Sequence, residues 1–266
     1  MKRRILVTGP TGFVGARIMD AMEAIPCPSL REMNESRVRE LVEQTAPDVI
    51  IHTAALSDIG QCQKMPEVSY HSNVEIPLWL VRTGVPTVIF SSDQVYSGRT
   101  EPGPYTEEQV RPANLYAEHK LEMEQRCLEA APDTVLLRAA WMYDMPRYGC
   151  RNRGNFLVNM LRQEEIAFSS TQIRSVTYVR EVAALMEKAL TLPGGVYNFG
   201  SETTLPMLDI ARWLADTLRL RIRIKDAGPR HDLAMDTGRL KKFGVAFSTV
   251  QEGLLQCIQD YSLQET

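Results

Sequence analysis

The sequence predicts an α/β fold, a doubly wound parallel sheet with helices on both faces, and three observations carry that prediction. Short apolar runs alternate with helical stretches through the first half of the chain. A glycine-rich turn follows directly on the first of those runs. Small and polar residues cluster just past the carboxyl end of the later runs, which is where open α/β sheets bind their ligands.

Arg4-Ile-Leu-Val-Thr8 reads as a short buried strand, and Ala16 to Met22 continues as a helix. The opening Met1-Lys-Arg-Arg-Ile-Leu-Val looks like the start of a signal peptide. Its apolar run stops at Val7, however, so a strand is the better reading. Between strand and helix lies Gly9-Pro-Thr-Gly12-Phe-Val-Gly15. Glycines at these three places suit a tight turn, close backbone approach to a pyrophosphate and tight helix–strand packing. The helix N-terminus offers unpaired N–H groups to phosphates, so this segment predicts a Rossmann-like dinucleotide site using Gly9, Thr11, Gly12, Phe13, Val14 and Gly15.

The second strand belongs between Ile25 and Asn34, where Ile25-Pro-Cys-Pro-Ser-Leu-Arg31 holds two prolines, so it must be very short or distorted. At its end this strand lacks the acidic residue that usually holds an adenosine ribose. Arg31 either meets a 2′-phosphate, which favours NADP(H) over NAD(H), or is a surface arginine in a loop.

Asp48 to His52 is a strand ending in the small residues Thr53, Ala54 and Ala55, against which a cofactor can lie. Glu67 to Val81 reads as a helix, and Thr87 to Phe90 as a strand ending in Ser91-Ser-Asp-Gln-Val-Tyr96. A helix carries Tyr116 and Lys120 and runs to about Glu129, followed by a strand at Thr134 to Arg138. In the second half, Asn155–Arg162, Thr177–Leu192, Pro206–Leu218 and Val250–Tyr261 read as helices. Gly195 to Gly200 returns to the sheet, and Arg221–Lys225 is a further strand. The expected organisation is a nucleotide-binding part over 1–143 with about 176–200, and a smaller interleaved substrate lobe over 144–175 and 201–266.

Composition narrows the function. A net charge of −3 leaves no electrostatic footprint for nucleic acid, and no apolar run approaches the ~20 residues of a membrane span. Five widely spaced cysteines without a C-x-x-C pair imply reduced thiols in a cytoplasm, and no His/Cys/Asp cluster has metal-ligand spacing.

Tyr116 and Lys120 stand four residues apart and so share a helix face. A tyrosine with a pKa near ~10 is a poor acid or base at neutral pH, and lowering it to about 7 needs roughly 4 kcal/mol. The lysine cation and an oxidised nicotinamide are two charges able to supply that.

With these segments in place, the chain resembles the extended short-chain dehydrogenase/reductases and, within them, the dTDP-4-dehydrorhamnose reductase family. The resemblance rests on Thr8 to Gly15, His52 to Ala55, Ser91-Ser-Asp-Gln-Val-Tyr-Ser-Gly98, Pro112 to Lys120, Leu137-Arg-Ala-Ala-Trp-Met-Tyr143 and Asp236 to Leu240. It implies that Ser92 hydrogen-bonds a substrate carbonyl, that Tyr116 donates the proton, and that Lys120 binds the nicotinamide ribose and lowers the tyrosine pKa. Ser91 falls among the cofactor contacts. Ser92, Asp93, Gln94, Trp141, Asn155 and Arg230 fall among those to a nucleotide sugar. Trp141 packs over the sugar or is a core tryptophan. Arg147, Arg151, Arg153 and His231 are further candidates for an anionic substrate.

Nucleotide-sugar dehydratases place an acidic pair after the serine or threonine. Here the pair is Asp93-Gln94, and glutamine has no titratable proton, so dehydration is disfavoured. Ala117 and His119 depart from the family pattern and are expected on the helix surface beside the active pair. The implied activity is NAD(P)H-dependent reduction of a 4-keto-6-deoxy nucleotide sugar, by a chain that can form a homodimer. An epimerase remains an alternative, as does a non-catalytic, cofactor-binding regulatory subunit similar to the methionine adenosyltransferase β-subunits.

Overall fold

The computed structural model describes residues 3–147, 149–150 and 154–263. β1 (Ile5–Thr8), α1 (Phe13–Ala21), β2 (Ile25–Pro26), α2 (Glu35–Thr45) and β3 (Val49–His52) come first. α3 (Ile59–Lys64) and α4 (Pro66–Tyr70) precede a π-helical turn at His71–Glu75, which runs into α5 (Ile76–Val81). β4 (Thr87–Ser92) ends in a 3₁₀ turn (Asp93–Tyr96), and α6 (Leu115–Ala130), β5 (Val135–Ala139) and β6 (Trp141–Tyr143) follow. The remainder is α7 (Phe156–Arg162), β7 (Glu165–Phe168), β8 (Val176–Tyr178), α8 (Val179–Ala189), β9 (Gly195–Phe199), α9 (Met207–Leu218), β10 (Arg223–Asp226), α10 (Gly238–Lys241) and α11 (Val250–Asp260).

Six strands form one sheet in the order β2-β1-β3-β4-β5-β9, every pair parallel. β1, β3 and β4 are buried along their whole length, as strands covered by helices on both faces must be. Strand order reverses between β1 and β3, which opens a crevice at their carboxyl ends. β2 is two residues long, pairs only with β1, and ends in Pro26, a residue without an N–H that an edge strand tolerates.

Some elements differ from the sequence reading. The helix expected over Glu67–Val81 contains the π turn, placed just before Pro77 removes the N–H that the Asn73 carbonyl would otherwise accept. The stretch expected as a helix from Thr177 begins as strand β8, because Val176, Thr177 and Tyr178 suit a pleated surface and pair with Trp141–Tyr143. The strand near residue 221 forms as β10, outside the main sheet, and pairs with β7.

Ala117 and His119 are buried rather than on the helix surface. α6 packs on the 59–75 segment, so His119 Nδ1 lies 2.9 Å from Ser69 Oγ and its ring meets Tyr70 edge-on.

Val7, Ile51, Phe90, Leu137 and Phe199 lie in a cluster that packs the sheet against α1 and α8. A separate cluster joins Tyr143, Phe156, Tyr178, Ile210 and Leu254 from β6, α7, β8, α9 and α11. Leu240 and Val245 pack with the sheet's cluster, although they lie within 201–266. All five cysteines are free thiols. No helix among the described residues is long and apolar enough to cross a membrane.

Candidate active site

A cavity of about 890 Å³ opens along the carboxyl ends of β1, β3, β4 and β5. At its floor Gly9 has φ +64°, and the Gly12 N–H donates to the Gly9 carbonyl at 2.9 Å. A Cβ on Gly15 would stand 2.1 Å from that carbonyl oxygen, so only glycine lets α1 pack so closely behind the turn. α1 has no side-chain cap, which leaves the N–H groups of its first turn for a phosphate.

Thr8 and His52, paired across β1 and β3, bind the crevice from below. Thr8 Oγ1 accepts the N–H groups of Thr53 and Ala54 at 3.2 and 3.3 Å, so its own proton goes to His52 Nδ1 at 2.9 Å. His52 accepts it as a neutral ring. Burial, helped by the Lys120 charge, pushes its pKa down to about 3. This network holds the end of β3, with Thr53, Ala54 and Ala55, against the cavity, and it joins the first two motifs of the sequence, Thr8–Gly15 and His52–Ala55. Cys27 to Arg31 form the outer wall beyond β2. Arg31 is exposed there, with its carbonyl accepting from His71 Nε2 at 3.0 Å.

Ser92, Tyr116 and Lys120 all line the same cavity. Asn114 caps α6 by accepting the Ala117 N–H at 2.9 Å, which starts the helix at Leu115 and aims Tyr116 and Lys120 at β4. The Tyr116 hydroxyl hydrogen-bonds Ser92. Lys120 is buried and donates to the Phe90 carbonyl at 2.9 Å.

The expected lowering of the tyrosine pKa is absent from this arrangement. Burial raises the Tyr116 pKa, the Ser92 bond opposes that rise, and the Asp93 charge adds to it. Lys120 Nζ lies 5.9 Å from the phenol ring centre and spends a hydrogen bond on the sheet, so desolvation outweighs it. Burial also lowers Lys120 itself to about 8, against the opposing charge of Glu124.

Ser91 lines the cavity beside Ser92, and its hydroxyl donates to Glu124 Oε1 at 2.5 Å. Glu124 in turn forms a buried ion pair with Arg138, Nη2 to Oε2 at 2.6 Å, and Arg138 reaches Tyr96. That network fixes β4, α6 and β5 against one another behind the reactive groups.

On the substrate side, Asp93, Gln94, Trp141 and Asn155 all line the cavity. Both polar atoms of the Asn155 amide have a protein partner, with one N–H and one lone pair left over. Its Oδ1 caps α7 by accepting the Val158 N–H, and its Nδ2 donates to the Asp144 carbonyl. An asparagine directly before Phe156-Leu-Val is also an N-cap signal, so Asn155 caps α7 from a place on the cavity wall. Arg230 and His231 are exposed and are not among the lining residues. Arg147 pairs with Asp20 on α1 instead of facing the cleft. Arg151 and Arg153 lie outside the described residues.

Among the described residues, an arginine that does reach this side of the cavity is Arg174, which the sequence did not mark. Its Nε meets Asp93 Oδ2 at 3.1 Å, and its guanidinium lies 5.2 Å from the Trp141 ring centre. Among the described residues no group of His, Cys, Asp and Glu could hold a metal ion. The arrangement therefore combines a phosphate-binding turn with a hydroxyl pair able to polarise and protonate a carbonyl.

A protein-family model described as RmlD substrate binding domain matches residues 3–233. A dTDP-4-dehydrorhamnose reductase of Aggregatibacter actinomycetemcomitans is 26% identical, over 78% of this chain and 76% of that protein. Methionine adenosyltransferase 2 subunit beta of Xenopus laevis is 27% identical, over 93% of this chain and 84% of that protein. The crystal structure of dTDP-4-dehydrorhamnose reductase from Bacillus anthracis, in complex with NADP, matches with a TM-score of 0.87 at 22% identity. The match covers 98% of this chain and 100% of that one, and is a likeness of fold.

Proposed function

The chain belongs to the RmlD substrate binding domain family, and on that premise we propose that it reduces the 4-keto group of a nucleotide-linked 4-keto-6-deoxy sugar with NAD(P)H. The observation that carries the reading is the meeting of Ser92, Tyr116 and Lys120 with the glycine turn in one cavity. The cofactor residues fit a dinucleotide: Gly15 leaves no room for a Cβ, and the first turn of α1 is uncapped. When bound, the reduced nicotinamide supplies the hydride.

Tyr116 works as the acid. Its raised pKa keeps the phenol protonated at neutral pH, which is the form a reduction needs. Ser92 orients the carbonyl oxygen towards that proton. Lys120 stays cationic below about pH 8 and stabilises the phenolate left after transfer. Gln94 offers no titratable group, which supports reduction over water elimination.

The dinucleotide is assigned to 1–143 with about 176–200, and the sugar to a lobe formed by 144–175 and 201–266. NADP(H) is the preferred cofactor on this reading, supported by Arg31 at the outer wall and by the lack of an acid at the end of β2. The chain is placed in the cytoplasm, as its free thiols suggest, and can act as a homodimer.

The test follows oxidation of NADPH and NADH against dTDP-, GDP-, UDP- and CDP-linked 4-keto-6-deoxy sugars. Turnover is expected with one of them, and Tyr116→Phe should lose on the order of a hundred- to ten-thousand-fold in kcat while still binding cofactor. Full turnover by that variant would sink the mechanism. Inversion of a sugar centre without net NAD(P)H consumption would indicate an epimerase.

A second reading is a cofactor-binding regulatory subunit, favoured by the length of the Xenopus laevis match. It predicts no reductase activity on the whole panel, and recovery of a methionine adenosyltransferase catalytic subunit with the tagged chain.

A further inference from the structure

Arg174 approaches the reactive groups from the segment before β8, 81 positions away from Asp93 in sequence. Asp93 is almost fully buried beside Ser92, and its carboxylate meets groups from two sides. From β4 and α6 come Ser92, whose hydroxyl donates to Asp93 Oδ1 at 3.3 Å, and Tyr116, which feels the Asp93 charge. From across the cleft comes Arg174, with Nε 3.1 Å from Oδ2 and Nη2 3.5 Å from Oδ1. Trp141 of β6 supports the guanidinium from its face.

Ser92 has a single proton to give. Its oxygen already accepts the Gln94 N–H at 3.2 Å and is bonded by Tyr116. The Ser92 proton already goes to the Asp93 carboxylate at 3.3 Å, and a tighter hold there would leave Ser92 no donor for a substrate carbonyl. Arg174 competes for that carboxylate with a charge-assisted contact, the stronger kind, and leaves the Ser92–Asp93 contact long.

We propose that Arg174 is a positioning residue for carbonyl reduction, which holds Asp93 and so keeps the Ser92 donation to it weak enough for a substrate oxygen to take over the hydroxyl. This rests on the reductase reading above and adds a residue to it. Asp93 without Arg174 is harmful, and Arg174 without Asp93 is dispensable. The two positions should therefore show epistasis of sign and not simple additivity.

The test compares Arg174→Ala, Asp93→Asn and the double variant, using the keto sugar that the wild type turns over. Arg174→Ala should lower kcat by about tenfold to a hundredfold, with cofactor affinity unchanged. The double variant should be faster than Arg174→Ala alone. A double variant no faster than Arg174→Ala, with cofactor affinity intact in both, overturns the proposal. If Arg174→Ala loses cofactor affinity, Arg174→Met keeps an apolar stem against Trp141 and carries the same comparison.

A wild type that reduces no keto sugar refutes the reductase reading, and the positioning role is then read without turnover. In the NADP⁺ complex, NMR of isotope-labelled tyrosine, with Tyr116→Phe as the blank, follows the phenol titration. Loss of Arg174 should move that titration to higher pH, and loss of Asp93 as well should reverse the move. An unmoved titration in Arg174→Ala counts against Arg174 acting through Asp93.

Discussion

The side of the cavity proposed for the nucleotide and the side proposed for the sugar are built by opposite strategies. On the nucleotide side, Gly9, Gly12 and Gly15 act through backbone geometry within one turn. On the sugar side, Asp93, Trp141 and Arg174 come from a 3₁₀ turn, a short strand and a connecting segment, and only the fold brings them together. Backbone sites tolerate almost no substitution, whereas side-chain sites are free to change partners. A nucleotide side that stays fixed beside a variable sugar side is the arrangement expected where one cofactor serves many substrates.

The largest effect that would break this comparison is at Gly15. A Cβ there meets the Gly9 carbonyl oxygen at 2.1 Å and Thr53 Oγ1 at 2.8 Å, and the first contact is with backbone that has nowhere to go. Gly15→Ala should weaken cofactor binding by about a hundredfold or more and cost roughly 1–3 kcal/mol of stability by overpacking. Fluorescence titration with NADPH and urea unfolding check both numbers. A variant that binds NADPH as the wild type does would show that the turn is more pliable than its packing implies.

A smaller effect separates what was legible from what was not. Local spacing displayed the glycine turn, Thr53–Ala55, Ser91–Gln94 and the Tyr116–Lys120 pair, since each is a short run on a strand end or helix face. The two-residue β2 was legible too, from its prolines. The β6–β8 and β7–β10 pairs were not, because each strand is short and finds its partner far along the chain. Arg174 was hidden for the same reason, being one arginine in an unremarkable segment. The charge states were hidden even where the residues were plain. Tyr116 and Lys120 share a face as expected, yet burial governs both.

Lys120 turns that last point into a measurement. Its pKa falls to about 8 in the folded protein, against ~10.4 for an exposed lysine. Between those values the unfolded chain binds more protons than the folded one, so stability rises with pH across the window. The contribution is present above ~10.4 and is lost as pH falls through about 8. Lys120→Met removes the titrating group, so the difference in stability between the two proteins should change by up to about 3 kcal/mol across the window. Urea unfolding at both ends of it is the check. A constant difference would mean that Lys120 keeps its ordinary affinity for protons despite its burial.

The smallest expected effect sharpens the comparison on the side proposed for the sugar, where the sequence marked Arg230 and not Arg174. The Arg230 N–H donates to Thr171 Oγ1 at 3.0 Å and its carbonyl accepts from the same hydroxyl at 3.2 Å, so the backbone does the bonding while the residue stays exposed. Neither bond depends on the guanidinium. Arg230→Ala should leave stability within about 0.5 kcal/mol and KM for the sugar within about twofold, as surface substitutions generally do. Arg174→Ala, by contrast, acts on kcat. A tenfold rise in KM for Arg230→Ala, about 1.4 kcal/mol of lost binding, would mean that the 226–232 loop closes over the substrate and brings Arg230 into the cleft. The sugar side would then be assembled partly by the ligand, while the nucleotide side stands ready before it arrives.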